Sequence, residues 1–253
     1  MQRYILLFSI ILSFNLFSQF QPQSKQELQT AINLWVSDNE SALTTYGIID
    51  TWDVSLITDM NSLFRDITTF NDDIINWDVS NVTDMGLMFY NTTNFNRNLT
   101  NWDVSNVADM ESMFAYSTNF NGRISGWDVS NVTDMESMFA YTTNFNQNLT
   151  NWNVSNVTDM AYMFSNTSSF NQDISNWDIS SAINMTSMFD SASALSSDIQ
   201  CAINTSFSSS DYWPYDWSGN CDDDNDGIIN SDEIEGCQDS SACNYNSSAT
   251  DSG

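Results

Sequence analysis

The sequence predicts a repeat solenoid, with one short parallel strand and one short helical turn per coil, closed at its N-terminal end by a capping helix. Three observations carry that expectation: a strict recurrence every 25 residues, a change of hydrophobic period inside each unit, and an amphipathic segment just ahead of the first unit.

The chain opens with Arg3, followed by an apolar run from Tyr4 to Phe17 broken only by Ser and Asn, and then a polar segment with Pro22. This reads as a secretory signal peptide over residues 1–19, cut near Ser18 or Gln19. A membrane anchor is the alternative. It is disfavoured because the run of about 14 residues falls short of the roughly 20 that a span requires. In the segment 20–50, Leu28, Ala31, Ile32 and Trp35 share one helical face behind Ser24, a good N-cap residue. A helix from Ser24 to Val36 is expected to cover the first coil.

Residues 51–200 hold six units. Trp52, Trp77, Trp102, Trp127, Trp152 and Trp177 share one phase, as do Met60, Met85, Met110, Met135, Met160 and Met185. Phe64, Phe89, Phe114, Phe139, Phe164 and Phe189 form a third series. Phe70, Phe95, Phe120, Phe145 and Phe170 form a fourth, with Leu195 in the last place. Within a unit, Trp127 and Val129 alternate like a strand, whereas Val132, Met135, Met138 and Phe139 step like a helical turn. Thr133, three residues before Glu136, matches a capping box, and Thr58, Thr83 and Thr158 are expected to cap the equivalent turns.

One coil cannot bury its own apolar face, so stacking is required. The Trp and Met series are read as core, in preference to sugar platforms or soft metal ligands. Asn71, Asn96, Asn121, Asn146 and Asn171 are read as an internal ladder of amides satisfying backbone groups, with recognition as the alternative. The many N-x-S/T triplets are assigned no role, since an Asn/Thr-rich repeat produces them unaided.

The sixth unit degrades, with Ala182 in place of Val and Leu195 in place of Phe, and residues 201–221 are expected to form a terminal cap over Ile199 and Trp213. A disulfide between Cys201 and Cys221 is expected to close it, with Cys221–Cys237 as the alternative. Residues 222–236 carry the strongest chemical signal. Asp222, Asp224 and Asp226 stand at loop positions one, three and five, Gly227 at the sharp turn, Ile228 offers its carbonyl, and Glu233 is placed for bidentate ligation. Oxygen ligands at this spacing surround calcium, whereas the competing reading is an acidic linker. The tail 237–253 bears Cys237 and Cys243, whose mutual pairing is left open, and it reads as truncated.

The unit WDVSNVTDMESMF followed by FN resembles the repeat of BspA-like leucine-rich-repeat surface proteins, found in bacteria and as lipoproteins in mycoplasmas. The resemblance spans about residues 24–220. It implies a leucine-rich-repeat-like α/β solenoid and a role in adhesion, with no catalytic residues to carry over. Lipid anchoring does not transfer, because no cysteine lies near residue 20. The acidic loop lacks flanking helices and resembles a thrombospondin type-3-like calcium repeat, which implies Asn230 and Asp232 as further ligands and a stiffening role. The tail resembles short cysteine-bearing modules in exported proteins of Bacteroidetes-like bacteria.

Composition narrows the function. With 33 Asp and Glu against 5 Lys and Arg, the formal net charge is −28, which repels phosphate backbones and excludes nucleic acid as a partner. For most of these acids solubility alone is a sufficient explanation. Histidine is absent, which removes Ser–His and Cys–His catalysis. A two-carboxylate hydrolase needs a singular pair, yet the acids recur in every coil. The expected function is therefore non-catalytic: a secreted or cell-surface protein, monomeric and without a membrane span once processed, that mediates adhesion by engaging a surface protein or glycan. The alternative is a structural spacer within a larger exported protein, calcium-stabilised. Slight variation at Gly86, Glu111, Glu136 and Ala161 gives the spacer reading some support.

Overall fold

A computed structural model of the chain describes residues 19–221. Helix α1 spans Lys25–Ser37 and buries Leu28, Ala31, Ile32 and Trp35. Its first turn is closed by Ser24, whose hydroxyl accepts from the Glu27 amide at 3.2 Å. Helix α2, Asn39–Tyr46, follows at once, capped by Asp38 and ended by Gly47 at φ 74°, a backbone state that glycine adopts without a Cβ clash. Together with Phe20 the two helices close the first coil: Phe20 lies 5.3 Å from Trp52 and Trp35 lies 5.8 Å from it, both edge-on. The Trp35 indole donates to Asp72 at 2.9 Å.

The six units stack in register. Phe64, Phe89, Phe114, Phe139, Phe164 and Phe189 are buried, with ring centroids 5.3, 5.4, 5.8, 5.7 and 5.4 Å apart in sequence. The second phenylalanine of each unit packs beside the first, as Phe114 does with Phe120 at 3.9 Å. The tryptophans are buried too, and from Trp77 to Trp177 each indole N–H is satisfied by a carbonyl 28 residues earlier; Trp77 donates to the Ile49 carbonyl at 2.8 Å and Trp127 to that of Leu99 at 2.9 Å, while Trp52 turns to Gly47 in the cap at 3.4 Å. A buried indole left unpaired would cost about 1–3 kcal/mol, so this repeated bond fixes the tryptophan rotamer as well as its burial.

The expectation of an α/β solenoid with parallel strands, leucine-rich-repeat-like in kind, is overturned. Among the described residues there is no β-strand and no sheet. Successive coils meet through isolated parallel bridges, Asp59 to Asp84, Asp84 to Asp109, Asp109 to Asp134, Asp134 to Asp159, and Asp159 to Asn184. The reason is local. The Trp-x-Val alternation lies between two i→i+3 turns: Trp102 N–H donates to the Leu99 carbonyl at 3.2 Å, and Val107 N–H to that of Val104 at 2.9 Å. An extended run cannot grow between them.

The helical turns are absent as well. From Met135 to Thr142 the chain makes two tight turns, Met138 N–H to Met135 O and Thr142 N–H to Phe139 O, with Ser137 at φ 57° and Tyr141 at φ 59° as their third residues. Positive φ at that position is the mark of a type II turn. The alternate amides, Met135, Ser137, Phe139 and Tyr141, then donate to carbonyls of the next coil at 2.8–3.0 Å. A spacing of three and four therefore arises from paired turns and not from a helix.

The threonine caps are corrected with it. Thr133 Oγ1 donates backward to the Ala108 carbonyl at 3.2 Å, and Thr83 and Thr158 do likewise to Thr58 and Thr133. The capping is done by the adjacent aspartates: Asp134 Oδ1 accepts from the Glu136 amide at 2.9 Å, and Asp84 and Asp109 act in the same way.

At the other end, helix α3 (Ser197–Phe207) covers the last coil, burying Ile203, Asn204 and Phe207. Trp213, Tyr215 and Trp217 close over Phe189 at 6.3, 6.3 and 5.6 Å. Phe189 has no further coil to receive its amide, and the Tyr215 hydroxyl accepts it at 2.8 Å. A disulfide joins Cys201 to Cys221, with Cα atoms 5.0 Å apart.

Candidate functional site

Most polar groups of a coil serve the coil itself. The Asp-x-Ser segment is an Asx-turn, in which Asp103 and Asp128 each accept from the serine amide two residues on at 3.0 Å. Those serines hold both carboxyls below the usual aspartate range. The asparagine series satisfies backbone amides as expected of a ladder: Asn96 N–H donates to Asn71 Oδ1 at 3.0 Å, Asn121 to Asn96 at 2.9 Å and Asn171 to Asn146 at 2.9 Å. It lies partly exposed at the coil edge, however, and not in the interior. A second ladder runs through Asn81, Asn106, Asn131 and Asn156, whose amides donate to serine carbonyls of the preceding coil at 2.6–2.9 Å.

Inside the core a hydroxyl column escaped the sequence reading. Thr92, Thr142 and Thr167 are fully buried and donate to the Phe64, Phe114 and Phe139 carbonyls at 2.9, 2.6 and 2.7 Å, and Ser117 does the same to Phe89. The signal was a short hydroxylated residue three after the first phenylalanine of the four middle units, where the end units carry Ile67 and Ala192.

The outer face of the paired turns behaves differently, because there the units differ. One column holds Arg65, Tyr90, Ala115, Ala140, Ser165 and Asp190; the next holds Asp66, Asn91, Tyr116, Tyr141, Asn166 and Ser191. The chain winding brings Tyr90, Tyr116, Tyr141 and Tyr162 along one open groove of about 710 Å³, floored also by Ser112 and Ser137. Tyr116 and Tyr141 stack at 4.6 Å, and Tyr90 meets Tyr116 at 5.3 Å. Tyr116, Tyr141 and Tyr162 are 40, 42 and 42% exposed, unusually open for aromatic rings in a row. Partial desolvation, with the neighbouring phenols, pushes the Tyr116 hydroxyl above its ordinary range, so it remains a neutral donor at physiological pH.

The row begins beneath a cation, since the Arg65 guanidinium sits 5.1 Å above the Tyr90 ring and 3.4 Å from the Asp66 carboxylate. Glu111 and Glu136 stand next in the chain to the groove residues Ser112 and Ser137. Both carboxyls are pushed up, first by partial burial and then by neighbouring carboxylates, those of Asp134 and Asp109 around Glu111 and of Asp159 and Asp134 around Glu136. A second cavity, about 740 Å³, opens at the N-terminal end between Gln19–Gln21 and Leu43–Gly47.

The calcium loop, Asp222, Asp224, Asp226, Ile228, Asn230, Asp232 and Glu233, lies outside the described residues, as does the tail with Cys237 and Cys243. Among the described residues no trio of acidic or cysteine side chains is arranged to hold a metal ion, and no helix is long and apolar enough to cross a membrane.

Near-identical units held together by bonds that repeat from coil to coil define a repeat-domain protein. A family model described as "Mycoplasma protein of unknown function, DUF285" matches the chain over residues 30–128 and again over 117–211, and the chain belongs to that family. No curated protein and no solved structure matches it.

Proposed function

We propose that this chain is a non-catalytic interaction protein, exported to the bacterial surface, that engages its partner through the tyrosine groove. The observation that carries this reading is the row of exposed Tyr116, Tyr141 and Tyr162 beside half-buried Tyr90. Aromatic rings are enriched where protein surfaces bind, since each offers a large contact area at small entropic cost. A pure spacer has no need of open rings, and the units differ at these outer columns while the stacked series from Trp52 to Trp177 and from Phe64 to Phe189 stay constant. The similarity to BspA-like surface proteins supports adhesion as the role. Calcium at the loop from Asp222 to Glu233 would stiffen the chain beyond the last cap.

The test is an array of extracellular proteins and glycans probed with the full chain, with and without calcium, against Tyr116→Asn/Tyr141→Asn. Asparagine already stands at the equivalent positions 91 and 166, so the turn tolerates it. Retention by the wild type and its loss in the double variant supports the reading; equal retention by both overturns it. For the loop, a rise in melting temperature with calcium should vanish in Asp224→Ala, and no rise in the wild type would remove calcium from the account.

A further inference from the structure

The Arg65 contact shows what the groove is suited to take. A guanidinium there lies over a tyrosine face and beside a carboxylate, so the ring quadrupole and the negative charge act on one cation. Further along, no cation of the described residues lies over the rings: Tyr116 and Tyr141 stack on one another and stay exposed, Asp190 lines the groove, and Glu111 and Glu136 stand next in the chain to Ser112 and Ser137. The chain has little to supply, with 5 Lys and Arg in all. Lys25 is paired with Asp59 at 2.7 Å, and Arg97 donates to the Asn71 carbonyl at 2.7 Å. The crowding that raises the Glu111 and Glu136 carboxyls is relieved by an incoming positive charge.

Resting on the reading of the tyrosine groove as the binding site, we propose that its partner is an extended polypeptide segment rich in arginine, which sets one guanidinium on the face of Tyr141 turned away from Tyr116, as Arg65 lies on Tyr90, and others along the groove toward Asp190. Arginine is favoured over lysine because its planar, weakly hydrated group stacks on aromatic faces while still pairing with carboxylates. Charge complementarity sets the approach: a surface at net −28 draws a basic segment from solution, and the rings select it at contact.

The test titrates the full chain with a labelled oligo-arginine peptide, an oligo-lysine peptide of equal charge, and a soluble neutral glucan oligosaccharide. Tyr116→Asn/Tyr141→Asn alters no charge, so a general electrostatic attraction is left as it was. The expected result is oligo-arginine binding that is tighter than oligo-lysine and weakened about threefold in the double variant, from the loss of one exposed cation–π contact on a ring that its stacked neighbour holds in place. An unchanged melting temperature would show that the fold is retained. A second variant, Glu111→Gln/Glu136→Gln, is expected to weaken the arginine peptide as well. Equal binding of oligo-arginine to wild type and tyrosine variant overturns the proposal, since net charge alone then explains it. Binding of the neutral oligosaccharide, lost in the tyrosine variant while oligo-arginine is unaffected, also overturns it but leaves the groove as the site. Loss of the site itself would be read separately, as equal retention of both proteins on the array.

Discussion

Phe139 and Tyr141 are separated by one residue and belong to the same turn, yet they obey opposite rules. Phe139 is fully buried, stacked between Phe114 at 5.8 Å and Phe164 at 5.7 Å, and its counterpart in every coil is phenylalanine. Tyr141 is 42% exposed, and its counterparts are Asp66, Asn91, Tyr116, Asn166 and Ser191. An inward residue is gripped above and below by copies of itself, so any change leaves a mismatch on two sides. An outward residue is held mainly by its backbone, whose left-handed turn admits Asn, Ser, Asp or Tyr, with side-chain contacts that differ from coil to coil, such as Tyr141 on Tyr116 and Asn91 on Asp66. The lesson is that a constant interior and a variable exposed column can stand two residues apart on one turn.

The largest expected effect lies inside. Phe139→Ala removes a ring shared with Phe145 at 4.0 Å and with both neighbouring coils, and should lower unfolding free energy by about 3–5 kcal/mol in denaturant titration. Tyr141→Asn should stay within about 0.5 kcal/mol of wild type. Similar losses for the two would erase the contrast between inner and outer columns.

The next prediction asks whether the buried hydroxyls belong with the core. Thr142→Val keeps the shape but leaves the Phe114 carbonyl, now receiving a 2.6 Å bond, without that donor. A loss of about 1–3 kcal/mol is expected in thermal or chemical unfolding. No loss would mean that the column is filler and not structure.

The smallest effect concerns the edge between the two regions. Asp134 is half-buried and its carboxyl is pushed up, first by desolvation and then by Asp109 and Asp159. A raised carboxyl binds its proton more readily in the folded state, so ionised Asp134 opposes folding above its folded value, and the penalty fades as pH falls toward the unfolded carboxylate range. Asp134→Asn should therefore stabilise the chain at neutral pH, by less than about 1 kcal/mol given its partial exposure, and the gain should vanish on acidification into that range. Asn184 already fills this position in the last coil and makes the corresponding turn bond, at 3.3 Å. A gain that persisted unchanged at acid pH would show that the repulsion is not its source.

The columns were legible in the sequence because burial repeats whatever the backbone does; six tryptophans in phase report stacking without reporting how each coil is built. Coil geometry was not legible. A step of three and four is shared by a helix and by two successive type II turns, and the deciding feature, positive φ at Ser137 and Tyr141, falls on residues that do not advertise it. Thr133 looked like a cap because hydroxyl and carboxylate stand side by side, and the carboxylate of Asp134 took the role. The tyrosine row was hidden for a related reason. Tyr90 is one position out of phase with Tyr116 and Tyr141, and Tyr162 is four ahead of the Asn166 phase, so in-phase comparison scatters rings that the winding gathers.

The way Tyr215 receives the Phe189 amide has a further consequence. Every other coil hands that amide to the next coil, whereas the lid also answers a residue peculiar to the sixth: the Tyr215 hydroxyl donates to Asp190 at 2.9 Å, where earlier units carry Arg65, Tyr90, Ala115, Ala140 and Ser165. The N-terminal cap is tied in the same way to the first unit, through Lys25 to Asp59 and Trp35 to Asp72. Loss or gain of a whole unit between these two would leave each lid on the coil it fits and change the stack by one ring spacing, 5.3–5.8 Å.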